Sequence, residues 1–272
     1  MKHLKLFIEL TRLNKPTGYL LLFWPCLWGL TLAYNFNYQT KTYFVYLIYF
    51  FLGSVLMRSA GCIVNDLCDK KFDKKVKRTK NRPIASGKIS TKLALIYTSV
   101  LCLMAFTILL NFNFLTIILA IASMPLAFTY PLMKRFTYWP QLFLGITFNY
   151  GIILGWTSIY SSINIEIIIF YLGAIFWTLG YDTIYGFQDI VDDEIIGVKS
   201  TSIKFKSSPK LFLSICYSVF IACFIAGGIF LGLSKLYFIV MIALDIHLFY
   251  FQISKFDMVN PENCLRIFKS NN

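Results

Sequence analysis

"YFVYLIYFFLGSVLMRSAGCIVNDLCDKKFD", residues 43–73, is an apolar run that turns ionic without a break. Its first part, 43–64, carries one charge, Arg58. Crossing roughly 30 Å of hydrocarbon takes about 20 apolar residues, so this stretch predicts a transmembrane helix. The adjoining segment is the opposite: three aspartates and ten Lys/Arg lie between 65 and 92. The chain thus drives a greasy helix into a highly charged segment at one face of a membrane.

The same signature recurs along the chain. Seven further runs reach spanning length, at 16–34, 93–111, 114–130, 141–160, 165–187, 211–232 and 236–254. Apolar residues make up 57% of the 272 positions and charged ones 14%. A soluble domain carries about 25% charge, so lipid is the expected solvent. The expected fold class is an all-α, multi-span membrane protein of eight helices, with residues 1–272 as one integral membrane domain.

Net charge is +13, which invites nucleic acid as a partner, but the distribution excludes it. Of 26 Lys/Arg, 23 fall in five segments that alternate onto one side of an eight-span chain. The opposite connections hold only Lys41 and Lys235. Such asymmetry is the positive-inside pattern, and it predicts both termini and the charged loops on the cytoplasmic side. The seven cysteines (26, 62, 68, 102, 216, 223, 264) are scattered without a C-x-x-C pair, which argues against a zinc site or a disulfide framework.

Two acidic stretches carry the chemistry. Asn65, Asp69 and Asp73 stand at i, i+4 and i+8, nearly one face of a helix. Like-charged carboxylates so placed repel one another unless a cation neutralises them. Oxygen ligands without His or thiolate select hard ions, and Mg²⁺ takes one or two carboxylates together with phosphate oxygens and water. The second stretch, "YDTIYGFQDIVDDEIIG" at 181–197, puts Asp182, Asp189 and Asp193 at i, i+7 and i+11, again on one helical face. Asp192 and Glu194 point elsewhere. Both rows end spans on the same side, and the expectation is that they converge on Mg²⁺ bridged by a diphosphate. Lys134, Arg135, Arg78, Arg82 and Lys199 lie on that side, each either a topology-setting charge or counter-charge to the anion, with the second role favoured for Arg135 and Arg78. Arg58, Asp182, Asp245 and His247 are polar within spans, where interhelical pairing and function are both open.

The segments "MRSAGCIVNDLCDKKFDKKVKRTKNRPIASGKIS" and "YDTIYGFQDIVDDEIIGVKSTSIKF", with "LNKPTGYLLLFWPCLWGL" at 13–30, resemble the UbiA-type intramembrane aromatic prenyltransferases. Within them, the likeness is to the branch that acts on 4-hydroxybenzoate in ubiquinone biosynthesis. The resemblance covers essentially the whole chain. It implies a helical bundle with a central cavity under a cytoplasmic cap, in the inner (cytoplasmic) membrane of a bacterium, bounded by membrane lipid. It implies Mg²⁺-dependent ionisation of a polyprenyl diphosphate and attack by the ring carbon ortho to the hydroxyl of 4-hydroxybenzoate. By residue-wise match, Asn65, Asp69, Asp73, Asp189 and Asp193 are metal-ligating, and Asp182 is auxiliary. Lys134 and Arg135 bind diphosphate, and Tyr130 precedes them. Arg135 joins the four aspartates as catalytic. Tyr130, Tyr181 and Tyr185 are aromatic candidates to stabilise an allylic cation, and Arg58 or Arg12 the partners of the acceptor carboxylate.

Two departures stand out. The family generally has nine spans, so this chain is expected to lack the final helix, with an inactive truncated homologue as one outcome. Lys206 stands where relatives carry Gly, which predicts a strained turn. Related prenyltransferases with naphthoate or haem as acceptor share the aspartates. A cation or phosphate transporter is the reading from a different class, but transporter sites lie near the midplane between broken helices.

Overall fold

The computed structural model describes residues 2–35, 40–75 and 79–272. Arg78 therefore lies outside the described residues. Helices are α1 (Lys2–Thr11), α2 (Pro16–Tyr34), α3 (Thr40–Asp73), α4 (Thr91–Leu109), α5 (Phe114–Thr129) and α6 (Pro140–Ile159). They continue as α7 (Ile165–Gly186), α8 (Ile190–Ile196), α9 (Thr201–Lys204), α10 (Pro209–Phe230), α11 (Lys235–Ile246) and α12 (Pro261–Lys269). Turns of 3₁₀ helix cover Tyr130–Arg135 and Phe187–Asp189, and a π-helical stretch, His247–Ile253, extends α11. Among the described residues there is no strand, and eight helical stretches are long and apolar enough to span a membrane.

The spans lie where the apolar runs placed them, with one informative difference. α3 is 34 residues long, about 50 Å at 1.5 Å per residue, well beyond a hydrocarbon core of about 30 Å. Nothing between Asn65 and Asp73 breaks a helix, and Lys70 and Lys71 complement the negative end of its dipole. The first acidic row is therefore rigid helix carried past the apolar segment.

The chain divides into two compact units, residues 1–132 with 154–161, and residues 133–153 with 162–272. In the first, α2 and α4 pack on α3. α1 lays Leu6, Phe7 and Leu10 onto a core of Ala60, Ile63, Ile84, Ile89, Ala94 and Leu101. The segment after the acidic row is thereby folded back onto helices, with Ser90 capping α4 through Leu93 N at 3.2 Å. Asn113 Nδ2 donates to Thr157 O at 2.6 Å and Thr116 Oγ1 to Thr157 Oγ1 at 3.0 Å, tying α5 to the end of α6. α6 comes so near α2 that Gly155 is obligatory: a β-carbon there would meet the Cys26 carbonyl and Leu30 N.

In the second unit α10 runs along α7, and α9 docks on α7 through three buried hydroxyls. Thr201 Oγ1 and Thr183 Oγ1 share a hydrogen bond of 2.6 Å, Ser202 Oγ donates to Thr183 O at 2.8 Å, and Thr201 N donates to Gln141 Oε1 at 3.0 Å. Lys206 is not strained: its ammonium pairs with Glu194, and the only non-glycine with positive φ among the described residues is Arg12. The expected turn requirement fails because the backbone at Lys206 does not take the positive φ that favours glycine. α12 packs on α7. Asn271 Oδ1 accepts from Trp177 Nε1 and Gln252 Nε2, both at 3.0 Å, and Tyr217 OH donates to Gln252 Oε1 at 2.6 Å. His247 Nε2 lies 3.3 Å from Gln252 Nε2 and from Ser270 Oγ, so this intramembrane histidine belongs to a network tying helices together. Large apolar side chains such as Leu95, Val100, Leu103, Ile239 and Ile242 face outward, as lipid contact requires.

Gly155→Val is expected to lower the unfolding free energy by about 1–3 kcal/mol, the usual cost of overpacking. SDS-induced unfolding in mixed micelles measures it, and a midpoint equal to that of the parent protein would contradict the close α2–α6 approach.

Candidate active site

The end of α3 gathers charge inside the first unit. Asp66, Asp69 and Asp73 are all buried, at 2%, 2% and 6% exposure, while Asn65 is half-buried. Carboxylates this enclosed require partners. Arg82, from the segment after the row, donates through Nη1 to Asp66 Oδ1 at 3.1 Å and to Asp73 Oδ2 at 2.9 Å. Arg12, at the end of α1, donates through Nη2 to the same Asp66 Oδ1 at 2.5 Å. Guanidinium thus neutralises Asp66 and Asp73.

Asp66 had no place among the predicted site residues. A signal for it exists: Asp66, Asp69 and Asp73 also step by three and four along a helix. Asp66 and Asp73 differ by only about 20° around the axis, against about 80° for Asn65 and Asp73, which is why one arginine reaches both.

Beside this row lies a second group. The Tyr130 hydroxyl lies beside Asn65 and shares its surroundings with Arg58, Arg12 and the Cys62 thiol. Arg58 lies against α2 where Gly18 leaves room for it; a β-carbon at Gly18 would sit 2.7 Å from Arg58 Nε. The structure therefore brings Asn65, Asp69, Asp73, Tyr130, Arg58 and Arg12 into one region of the first unit.

The second acidic stretch lies in the other unit, and its geometry departs from the expected single helical face. α7 stops at Gly186, a 3₁₀ turn covers 187–189, and Asp189 has φ −116° and ψ 12° before α8 begins. A count of 100° per residue from Asp182 to Asp193 does not survive that turn. The cause is tertiary: Ser202 of α9 packs so tightly over Gly186 that a β-carbon there would collide with its hydroxyl, and Phe187 is buried with its ring 5.3 Å from Phe256. Asp182, Asp189 and Asp193 are half-buried. Glu194 is exposed, as expected, while Asp192 is half-buried. Tyr185 and Tyr181 both pack against Phe268 of α12, at 4.5 and 5.7 Å between ring centres.

Three predicted anion-binding residues do come together here. Lys199 N donates to Lys134 O at 2.8 Å, which seats Lys199 on the turn carrying Lys134 and Arg135. The Lys199 ammonium donates to Phe136 O at 3.3 Å and stands 5.5 Å over the Tyr138 ring. Arg135 is exposed and Lys134 half-buried.

The donor chemistry of both stretches, carboxylate and amide oxygen, suits a hard divalent ion. Among the described residues no three His, Cys, Asp or Glu side chains form a metal cage. Mg²⁺ needs no such cage, since it binds through one or two carboxylates and completes its shell with phosphate oxygens and water. Asp69 and Asn65 within the first unit, and separately Asp189 and Asp193 within the second, supply carboxylate and amide oxygens of that kind.

The family model described as "UbiA prenyltransferase family" matches residues 22–272. A 4-hydroxybenzoate polyprenyltransferase, mitochondrial, of Bos taurus is 42% identical over 97% of this chain and 71% of that protein. 4-Hydroxybenzoate geranyltransferase 1 of Lithospermum erythrorhizon is 40% identical over 99% and 87%. A UbiA homolog from Archaeoglobus fulgidus, bound to GPP and Mg²⁺, superposes with a TM-score of 0.69 over 97% of both chains at 15% identity, a likeness of fold. The mitochondrial relative overturns the expected bacterial inner membrane. Charge asymmetry ranks one face of a membrane against the other and names no compartment.

Arg82→Ala is expected to lower stability by about 1.5–3 kcal/mol, because it leaves two buried carboxylates short of a charged donor. Combined with Asp66→Asn, the loss should be clearly less than additive, since both changes break one network. Additive losses in SDS unfolding would show that the two residues act separately.

Proposed function

Because the chain belongs to the UbiA prenyltransferase family, we propose that it transfers a polyprenyl group from its diphosphate to the carbon ortho to the hydroxyl of 4-hydroxybenzoate, the ring-prenylation step of ubiquinone biosynthesis. Two relatives of about 40% identity whose names specify 4-hydroxybenzoate as acceptor support the substrate. The observation that carries the mechanism is the row of buried carboxylates at the end of α3 with arginines already set against it.

Charge develops on the departing diphosphate as the allylic C–O bond stretches, so groups aimed at that charge lower the barrier. Mg²⁺, when bound, supplies Lewis-acid stabilisation of the leaving group. Asp69 with Asn65, and Asp189 with Asp193, are the oxygen ligands in this proposal, and Asp73 shares its carboxylate with Arg82. Asp182 is auxiliary to the second set. Lys134, Arg135, Arg78 and Lys199 are proposed to bind the anion; Arg135 is exposed, and its planar fork matches phosphate oxygens. Tyr130 and Tyr185 offer ring faces to the allylic cation. Arg58, with Gly18 leaving space beside it, is the proposed partner of the acceptor's carboxylate. That pairing leaves the electron-rich ring carbon to attack, with its proton lost to solvent or diphosphate. Relatives named for geranyl and polyprenyl transfer show that 40% identity does not set tail length.

Purified protein with radiolabelled 4-hydroxybenzoate, Mg²⁺ and a series of prenyl diphosphates tests this, with label appearing in the lipid phase. We expect EDTA and Asp69→Ala each to abolish transfer, by at least about 100-fold. Transfer that survives either, or that prefers a naphthoate acceptor, would refute the mechanism or the substrate respectively.

A further inference from the structure

Asp66 has neither the partners nor the placement of a metal ligand. One oxygen, Oδ1, already accepts from two guanidiniums, and the side chain is 2% exposed. The two arginines come from segments far apart in sequence. Arg12 directly follows α1, the helix lying on the first unit's core, and Arg82 sits in the segment after the acidic row. Arg12 also adopts φ +57°, a left-handed conformation costly for an L-residue other than glycine or asparagine. The turn there is closed by Lys15 N donating to Arg12 O at 2.9 Å. A strained backbone whose side chain ends on a buried carboxylate marks a position the surrounding structure enforces.

We propose that Asp66 is a positioning residue for the transfer reaction: it fixes the guanidiniums of Arg12 and Arg82 beside the Asp69–Asp73 turn so that they meet the diphosphate of the prenyl donor. This rests on the function proposed above. Arg82 shows how. Its Nη1 is spent on Asp66 and Asp73, which orients the plane of the guanidinium and turns its Nε and Nη2 donors as a preset fork. Asp66 also lets cationic arginine persist next to the row before any diphosphate arrives, so no reorganisation is needed when it does. Removing the Asp66 charge leaves Arg82 anchored through Asp73 and takes one anchor from Arg12, which loosens that preset geometry. A residue of this kind acts on affinity for the donor and leaves the acceptor untouched.

The test is calorimetric binding of inorganic pyrophosphate, with Mg²⁺ present, to the full-length protein in nanodiscs, alongside steady-state kinetics and an unfolding midpoint. Asp66→Asn should weaken pyrophosphate by about tenfold, the scale of one charge-assisted hydrogen bond. It should raise KM for the prenyl diphosphate and leave KM for 4-hydroxybenzoate unchanged. Asp66→Glu should recover most of the affinity. Lys206→Ala, which removes an exposed cation from its pair with Glu194, should leave it unchanged. If Asp66→Asn does not fold, Arg82→Lys keeps the charge but lacks the rigid planar fork that Asp66 and Asp73 orient, and the same loss is expected. Pyrophosphate affinity equal to wild type in folded Asp66→Asn or Arg82→Lys, whatever their stability, would overturn the inference while leaving the transfer activity standing. Wild-type protein that binds no pyrophosphate would overturn both.

Discussion

Carboxylates buried at the end of a membrane helix must be met by positive charge, and the rest of the first unit is arranged around meeting it. Asp66 and Asp73 share Arg82, and Asp66 also holds Arg12. Taking a carboxylate out of water costs several kcal/mol unless charged hydrogen bonds replace the lost solvent. That cost explains why the segment after α3 folds back with Ile84 and Ile89 in the core, since Arg82 must be carried to the acids. It also accounts for α1, whose apolar face is docked beside α3 and whose end is followed directly by Arg12.

The second unit meets a related demand by other means. Its acidic stretch spans a break in helix, and the segment after it is held by hydroxyls of Thr201 and Ser202 buried against Thr183. Backbone and side-chain bonds from Lys199 set the turn carrying Lys134 and Arg135. Half-buried acids there need less internal compensation than the α3 row, and they sit on a segment with more turn character. One unit thus presents its acids on one continuous helix and the other on two helices joined by a 3₁₀ turn.

Much of this is legible in residue order. Runs of about 20 apolar residues mark all eight spans, because hydrocarbon thickness is a one-dimensional constraint. The acidic rows are visible by residue type, and Asn65, Asp69 and Asp73 do lie on helix. Their partners are not visible: Arg12 and Asp66 are 54 positions apart, and pairing at that distance is decided by how helices dock. Stepping in fours from Asn65 passes over Asp66, although steps of three and four share one stripe. The 3₁₀ turn at 187–189 is hidden for a different reason, since packing of Ser202 on Gly186 overrides local propensity. Arg12's left-handed backbone carries no sequence cue, being neither glycine nor asparagine.

The proposed function would place a divalent ion with diphosphate at Asp69, tying these charges to chemistry. Electron paramagnetic resonance of Mn²⁺, a spectroscopic substitute for Mg²⁺, reads that directly in the purified protein. The account predicts tight Mn²⁺ binding that strengthens with pyrophosphate and disappears in Asp69→Ala. Mn²⁺ that stays in free solution with pyrophosphate and wild-type protein, or binds Asp69→Ala equally well, would contradict it.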